Sequence, residues 1–355
     1  MKRIIALILF GIMNFSLSQA QTFSGTYTAE WQWDMNKNTN FVNLLRLELN
    51  VPLWNGGTFE AATLHVAKTN DGILDDWQGF SNIEADNMFG GIAVLGYMHE
   101  WKAGHVFVGV RNVNEDFFTS DITALFTNSS CGIVPTIASS YPIANYPFSG
   151  LTVYFDVHKG GWLFRNSLYN GVGYNGWKHG DNPFLVRPKK DGIFDMAQLE
   201  YSHDRGNYFA GVAVHTRQFT IDDEGEMVSA DEAERKTTCA WWVYGEQSLW
   251  RSADKDVSLM AQYSENTSHR SGCYRYAEIG GAYRDSLNEC GVSGQYARYH
   301  QGKEYSLELT WKRQINKNIA IQPTFQYVNN ANGDFTVLSA RLYYGSPDKP
   351  RGKNL

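Results

Sequence analysis

Apolar residues recur at every second position in short runs from about residue 23 to residue 344, while charged residues stand mid-run on the opposite face. In residues 105–111 (HVFVGVR), Val106, Val108 and Val110 share one face; His105, Phe107, Gly109 and Arg111 share the other. Leu151, Val153, Phe155 and Val157 likewise oppose Thr152, Tyr154, Asp156 and His158. Tyr305, Leu307, Leu309 and Trp311 oppose Ser306, Glu308, Thr310 and Lys312. Such runs are strands with one greasy and one wet side. A soluble sandwich has the same alternation, so period alone does not separate it from a membrane barrel.

Connection lengths separate them better. Period-two runs and turn signals predict about 16 strands, near 23–33, 41–51, 58–68, 90–101, 104–112, 150–158, 161–170, 192–203, 206–217, 238–250, 255–264, 273–284, 290–300, 303–313, 318–328 and 334–344. Odd-to-even links are often long: 69–89, 113–149, 171–191 and 218–237. Even-to-odd links are short, as at Trp54-Asn55-Gly56-Gly57, Lys102-Ala103, Lys159-Gly160 and Asp204-Arg205. Long loops at one end and tight turns at the other are the pattern of an all-β, antiparallel, up-and-down transmembrane β-barrel, with long extracellular loops and short periplasmic turns. A sandwich has no reason to keep that asymmetry, because both its ends meet the same solvent.

The start fits this compartment. Lys2 and Arg3 precede a largely apolar stretch from Ile4 to Leu17, and Ser18-Gln19-Ala20 supplies a cleavage site, so residues 1–20 read as a signal peptide. The barrel is then expected over 21–344 and a tail over 345–355. No later stretch is long and apolar enough for a spanning helix, a test that strands evade. The 20 Tyr, 20 Phe, 11 Trp and 33 Gly suit strands and aromatic interface girdles. Trp101, Trp162, Trp242 and Trp311 are the girdle candidates. The formal charge of −6 becomes about −8 without Lys2 and Arg3, and no basic run supports nucleic-acid binding. Cys131, Cys239, Cys273 and Cys290 lack paired zinc spacing. Secretion permits disulfides, and a Cys239–Cys273 bridge near the outer rim is one of the open pairings. Pro323 inside a predicted strand points to a bulge or a strand start.

Several blocks resemble, in order, the carbohydrate-selective porin family of the OprB type. They include residues 75–85 (DDWQGFSNIEA), 108–117 (VGVRNVNEDF), 126–129 (FTNS), 135–138 (PTIA) and 244–251 (YGEQSLWR). Further on come 280–285 (GGAYRD), 304–310 (EYSLELT), 321–328 (IQPTFQYV) and 339–342 (SARL). The match spans roughly 25–344. The chain is short for this family, ends on a tail after Tyr343-Tyr344, and is unusually acidic at Asn114-Glu115-Asp116.

The resemblance implies an outer-membrane channel for passive diffusion of small carbohydrates, narrowed by an inward-folded loop at about 113–149. That loop carries Glu115, Asp116, Phe117, Phe118 and Tyr141, with aromatic faces suited to stacking on sugars. Charged residues within the amphipathic strands, Arg46, Arg111, Arg165, Arg217, Glu246, Glu308 and Arg341, are expected to line the pore, since an arginine on the lipid face costs about 2–4 kcal/mol near the midplane. The alternative for each is a structural network inside the lumen. Arg111, in the matching Gly-Val-Arg segment, is the arginine the resemblance favours for the constriction. Trp77 could stack a sugar at the mouth or simply pack its loop against the rim.

An enzyme is not expected. The nine histidines, His99, His158 and His215 among them, form no HExxH or triad context. Asp75-Asp76, Asp222-Asp223, Glu224 and Glu226 read as solvated loop carboxylates in preference to a glycosidase pair or a calcium site. No metal or other cofactor and no nucleic acid is expected; small sugars and outer-membrane lipid are the expected partners. A homotrimer is left open. The competing functions are a secreted all-β carbohydrate-binding protein and an outer-membrane channel for other solutes.

Overall fold

A computed structural model describes residues 21–176, 180–222, 227–270 and 272–345. The predicted signal peptide and all of the predicted tail except Gly345 lie outside the described residues, as do Asp223, Glu224 and Glu226. Sixteen antiparallel strands each pair with the next in sequence. They are β1 (Thr22–Trp33), β2 (Thr39–Trp54), β3 (Gly57–Lys68), β4 (Met88–Trp101), β5 (Gly104–Arg111), β6 (Gly150–Lys159), β7 (Trp162–Asn170) and β8 (Ile193–His203). Then come β9 (Gly206–His215), β10 (Thr238–Ser252), β11 (Lys255–Asn266), β12 (Cys273–Arg284), β13 (Asn288–Tyr299), β14 (Lys303–Asn316), β15 (Ile319–Asn330) and β16 (Gly333–Tyr344). The barrel closes where β1 meets β16, from Tyr27 opposite Tyr344 to Trp33 opposite Leu338. Closure leaves no unpaired edge, the condition for crossing lipid with strands.

The short turns follow from their residues. Asn55-Gly56 joins β2 to β3, and Gly56 adopts φ +77°, where a Cβ would stand 2.4 Å from the Glu100 carbonyl. Only glycine meets both demands.

The wall is inverted relative to a soluble protein. On β14, Leu309 points outward and is 47% exposed, while its neighbour Glu308 points inward and is fully buried. Trp101, Trp162 and Trp311 are exposed on the outer wall, joined by Trp54 and Trp250 at strand ends by the short turns. Trp242 departs from this set: it faces the lumen and is buried against Phe118, ring centroids 5.0 Å apart. Parity on β10 decides this, since Trp242 shares its face with Tyr244 and Glu246, whereas Trp241 points out.

Pro323 causes no bulge. It pairs with Ala340 of β16 in continuous register, and the β14–β15 ladder resumes in register on either side, from Thr310–Thr324 to Arg313–Ile321. The ladder lapses opposite the proline, which has no N–H to give, and its one register shift lies away from it, between Gln314 and Asn316 near the turn. All four cysteines are free, so the Cys239–Cys273 bridge left open by the sequence is not formed.

Two long connections fold inward. The second outer loop (69–87) and the third (112–149) bring Phe80, Phe117, Phe118, Ile122, Leu125, Phe126, Ile137 and Tyr141 into the barrel, all buried. The barrel thus has an apolar core inside its lumen, built between the third loop and inward wall residues such as Phe194, Phe209, Trp242 and Tyr276.

Candidate functional site

Inward-facing side chains hold the two loops. On β14, Glu304 and Glu308 stand four residues apart on the lumen face, and each carboxylate accepts two consecutive backbone N–H groups. Glu304 takes those of Trp77 (2.7 Å) and Gln78 (2.8 Å). Glu308 takes those of Thr127 (2.7 Å) and Asn128 (3.0 Å), and the Thr127 hydroxyl (3.0 Å). Backbone donors removed from water need acceptors, and charged acceptors are the stronger ones. Gln326 donates to the Phe80 carbonyl (2.7 Å), and Gln322 to the Leu125 carbonyl (2.6 Å).

The third loop crosses the lumen and meets the wall repeatedly. Ser120 donates to Glu246 (2.6 Å), and Tyr244 donates to the same carboxylate (2.7 Å). Cys131 donates to Glu278 (3.2 Å), and burial together with the Glu278 and Glu308 charges pushes its thiol well up. Thr136 donates to Ser264 (2.8 Å).

The seven charged residues marked by the sequence divide unequally. Arg111 is 1% exposed; its guanidinium lies 4.2 Å from the Phe107 ring centre and 3.3 Å from Asp116. Burial pushes the Asp116 carboxyl up, and Arg111 opposes that shift. Arg165 binds Glu200 (2.8 Å) and the Asp116 carbonyl. Arg341 binds Glu30, Asn82 (2.8 Å) and Ser81 (3.2 Å). Glu246 and Glu308 hold the third loop. Arg217 lies beyond the end of β9, where it donates to the carbonyls of Ala233 (3.1 Å) in its own loop and of Lys189 in the β7–β8 loop.

Arg46 is the one of the seven that is ion-paired to two carboxylates. Its Nε donates to Glu48 (2.6 Å), and Nη1 and Nη2 donate to the two oxygens of Glu115 (2.7 and 3.1 Å). The side chains of Arg46, Glu48 and Glu115 retain 19%, 22% and 11% exposure. Wall strand and inward loop meet here through these ion pairs.

The loop aromatics are not presented to solute. Phe117 meets Tyr154, Phe118 meets Trp242, and Tyr141 stacks on His215 at 5.2 Å. Burial of these rings docks the loop against the barrel wall. Trp77 packs edge-on against Tyr299 at 5.5 Å, in line with the packing alternative. Glu304, Gln322, Gln326, Glu278 and Glu30 escaped the sequence reading. Strand parity could have found Glu304, which shares the face of Glu308.

No curated protein matches the chain. Among solved structures it is similar to the high-pH structure of Pseudomonas putida OprB, with a TM-score of 0.71 and 15% identity over 96% of both chains. It is also similar to a mutant of the Rh. blastica porin, with a TM-score of 0.59 and 11% identity over 92% of this chain and 100% of that one. A loop-deletion mutant of OmpT, an outer membrane protein of Vibrio cholerae, follows at TM-score 0.56 and 9% identity, over 92% and 99%. At these identities the likeness speaks for the fold. The family model described as carbohydrate-selective porin, OprB family, matches residues 18–345, and the chain therefore belongs to that family.

Proposed function

We propose that this outer-membrane porin lets small sugars diffuse passively into the periplasm through a lumen narrowed where the third loop meets β2. The observation that carries the reading is the closed barrel with lipid-compatible walls and inward-docked loops beside the partly buried Arg46–Glu48–Glu115 cluster. Hydroxyl groups find both donors and acceptors there, which suits neutral polar solutes. Family membership favours sugars over other solutes. Exposed Val108, Val153, Leu199 and Leu309 on the outer wall support lipid contact over a secreted binding protein.

In this reading Arg46, Glu48 and Glu115 touch solute. Arg111, Arg165, Glu246, Glu308 and Arg341 hold the constriction in place, and Asp116, Phe117, Phe118 and Tyr141 are its docking surface. The function is transport, without a catalytic group or a cofactor. Should barrels associate as homotrimers, the polar pairs Tyr27–Asn43 (2.5 Å) and Thr63–His65 (3.1 Å) on the outer wall of β1–β3 mark the stretch best covered by protein.

Reconstitution in planar bilayers with sugars of graded size tests the reading. Stepwise conductance reduced by mono- and disaccharides is expected. A folded protein that forms no channel, or a channel indifferent to every sugar, would overturn it.

A further inference from the structure

We propose that Glu48 and Glu115 set the charge preference of the channel, outweighing Arg46 at the narrowing so that neutral and cationic amino sugars pass more readily than anionic sugars. This rests on the channel reading above and adds the class of solute.

Several charges inside the barrel are spent on one another, and the Glu246, Glu278, Glu304 and Glu308 carboxylates are taken up by neutral donors. Arg111–Asp116, Arg165–Glu200 and Arg341–Glu30 are matched pairs with side chains at most 11% exposed. Toward the long loops, Lys68 lies 3.6 Å from Glu84 and 3.4 Å from Asp71. On β5 and β6, His105 lies 3.0 Å from Asp156. Arg46, like Lys68 nearer the long loops, is one cation facing two carboxylates, and here the cluster lies on a strand beside the third loop, with the Arg46 and Glu48 side chains 19% and 22% exposed.

The geometry also fixes the arginine. Glu115 grips Nη1 and Nη2 as a fork while Glu48 takes Nε. A guanidinium held along three N–H directions is poorly placed to turn toward a passing anion. Its cross-strand neighbour on β1 is Thr26, which brings no charge. A solute at this point therefore meets a net negative field, which low-dielectric walls focus along the lumen.

The test is the zero-current potential of single channels under a KCl gradient, paired with liposome swelling in glucose, glucosamine and glucuronate. Wild type is expected to prefer K⁺ and glucosamine. Glu48→Gln and Glu115→Gln should each lower the K⁺-to-Cl⁻ permeability ratio about threefold, the size of one screened charge at pore distances. Arg46→Gln should raise it by a similar factor. Glutamine keeps an acceptor for Arg46, and Glu48 lies on the wall strand, so Glu48→Gln decides the matter even where Glu115→Gln loosens the loop. A ratio that is the same in wild type and Glu48→Gln, or a wild type preferring Cl⁻, overturns the charge assignment and leaves the channel reading intact. Absence of any channel from folded wild type overturns both.

Discussion

The two inward loops are held by the same device on the same strand, yet they depend on it differently. Glu304 clamps the second loop through Trp77 and Gln78, and Glu308 clamps the third through Thr127 and Asn128. The third loop also buries Phe117, Phe118, Ile122, Leu125, Phe126, Val134 and Ile137. Burying one large apolar side chain contributes roughly 1.5–3 kcal/mol, so its apolar side outweighs any single clamp. The second loop buries Phe80 and Ile83, with Trp77 half-buried, and leans much more on its carboxylate. A polar clamp sets where a loop sits; apolar burial sets how firmly it stays.

The largest effect should come from removing the apolar support of the third loop. Trp242→Ala leaves a cavity under Phe118 and is expected to cost about 3–5 kcal/mol of thermal stability, with higher and noisier conductance. Unchanged melting in detergent would show that the ring is no support. Next comes Glu304→Ala, which strands two amides and Asn330, a loss of about 3 kcal/mol in local docking. Hydrogen exchange at Trp77 and Gln78 should then approach that of an open loop. Glu308→Ala breaks comparable bonds, but only Thr127 and Asn128 should exchange faster while the rest of the loop stays protected. Equal release of both loops would break the contrast.

The smallest effect concerns pH. Burial, and then the neighbouring Glu304 charge, push the half-buried Asp76 carboxyl up to about 7 from an ordinary 3.8; Glu84 adds to the push. An acid raised in the docked state binds protons more readily there. Docking of the second loop is therefore fully supported below the ordinary value and weakens as pH rises through about 7. Exchange at Trp77 and Gln78, corrected for intrinsic rates, should accelerate between pH 5 and 8 in wild type and lose that dependence in Asp76→Asn. A flat wild-type profile would remove Asp76 from the latch.

The strands were readable from residue order because each is a local pattern. His105 to Arg111 alternates without reference to anything distant, and Asn55-Gly56 makes its turn from its own two residues. The inward charges were readable for the same reason, with Glu308 and Arg341 on the face opposite Leu309 and Leu342. Arg217 misled because the alternation runs past His215, where pairing with β10 stops.

Sequence by itself determined the strand count, their order and which side of each meets lipid, and the family resemblance in it implied that the third loop folds inward. Alternation and turn chemistry act over two to ten residues, so they are written into the chain. Only the tertiary structure decided which lumen charges are spent as anchors and which stay wet. Arg111 and Arg46 look alike as letters on amphipathic strands. One is covered by Asp116 and Phe107 and the other left at the water's edge because the third loop, crossing the barrel, seals one part of the wall and passes beside another. Contacts between residues dozens or hundreds of positions apart, such as Glu308 with Thr127, follow from barrel closure, and no local pattern encodes them.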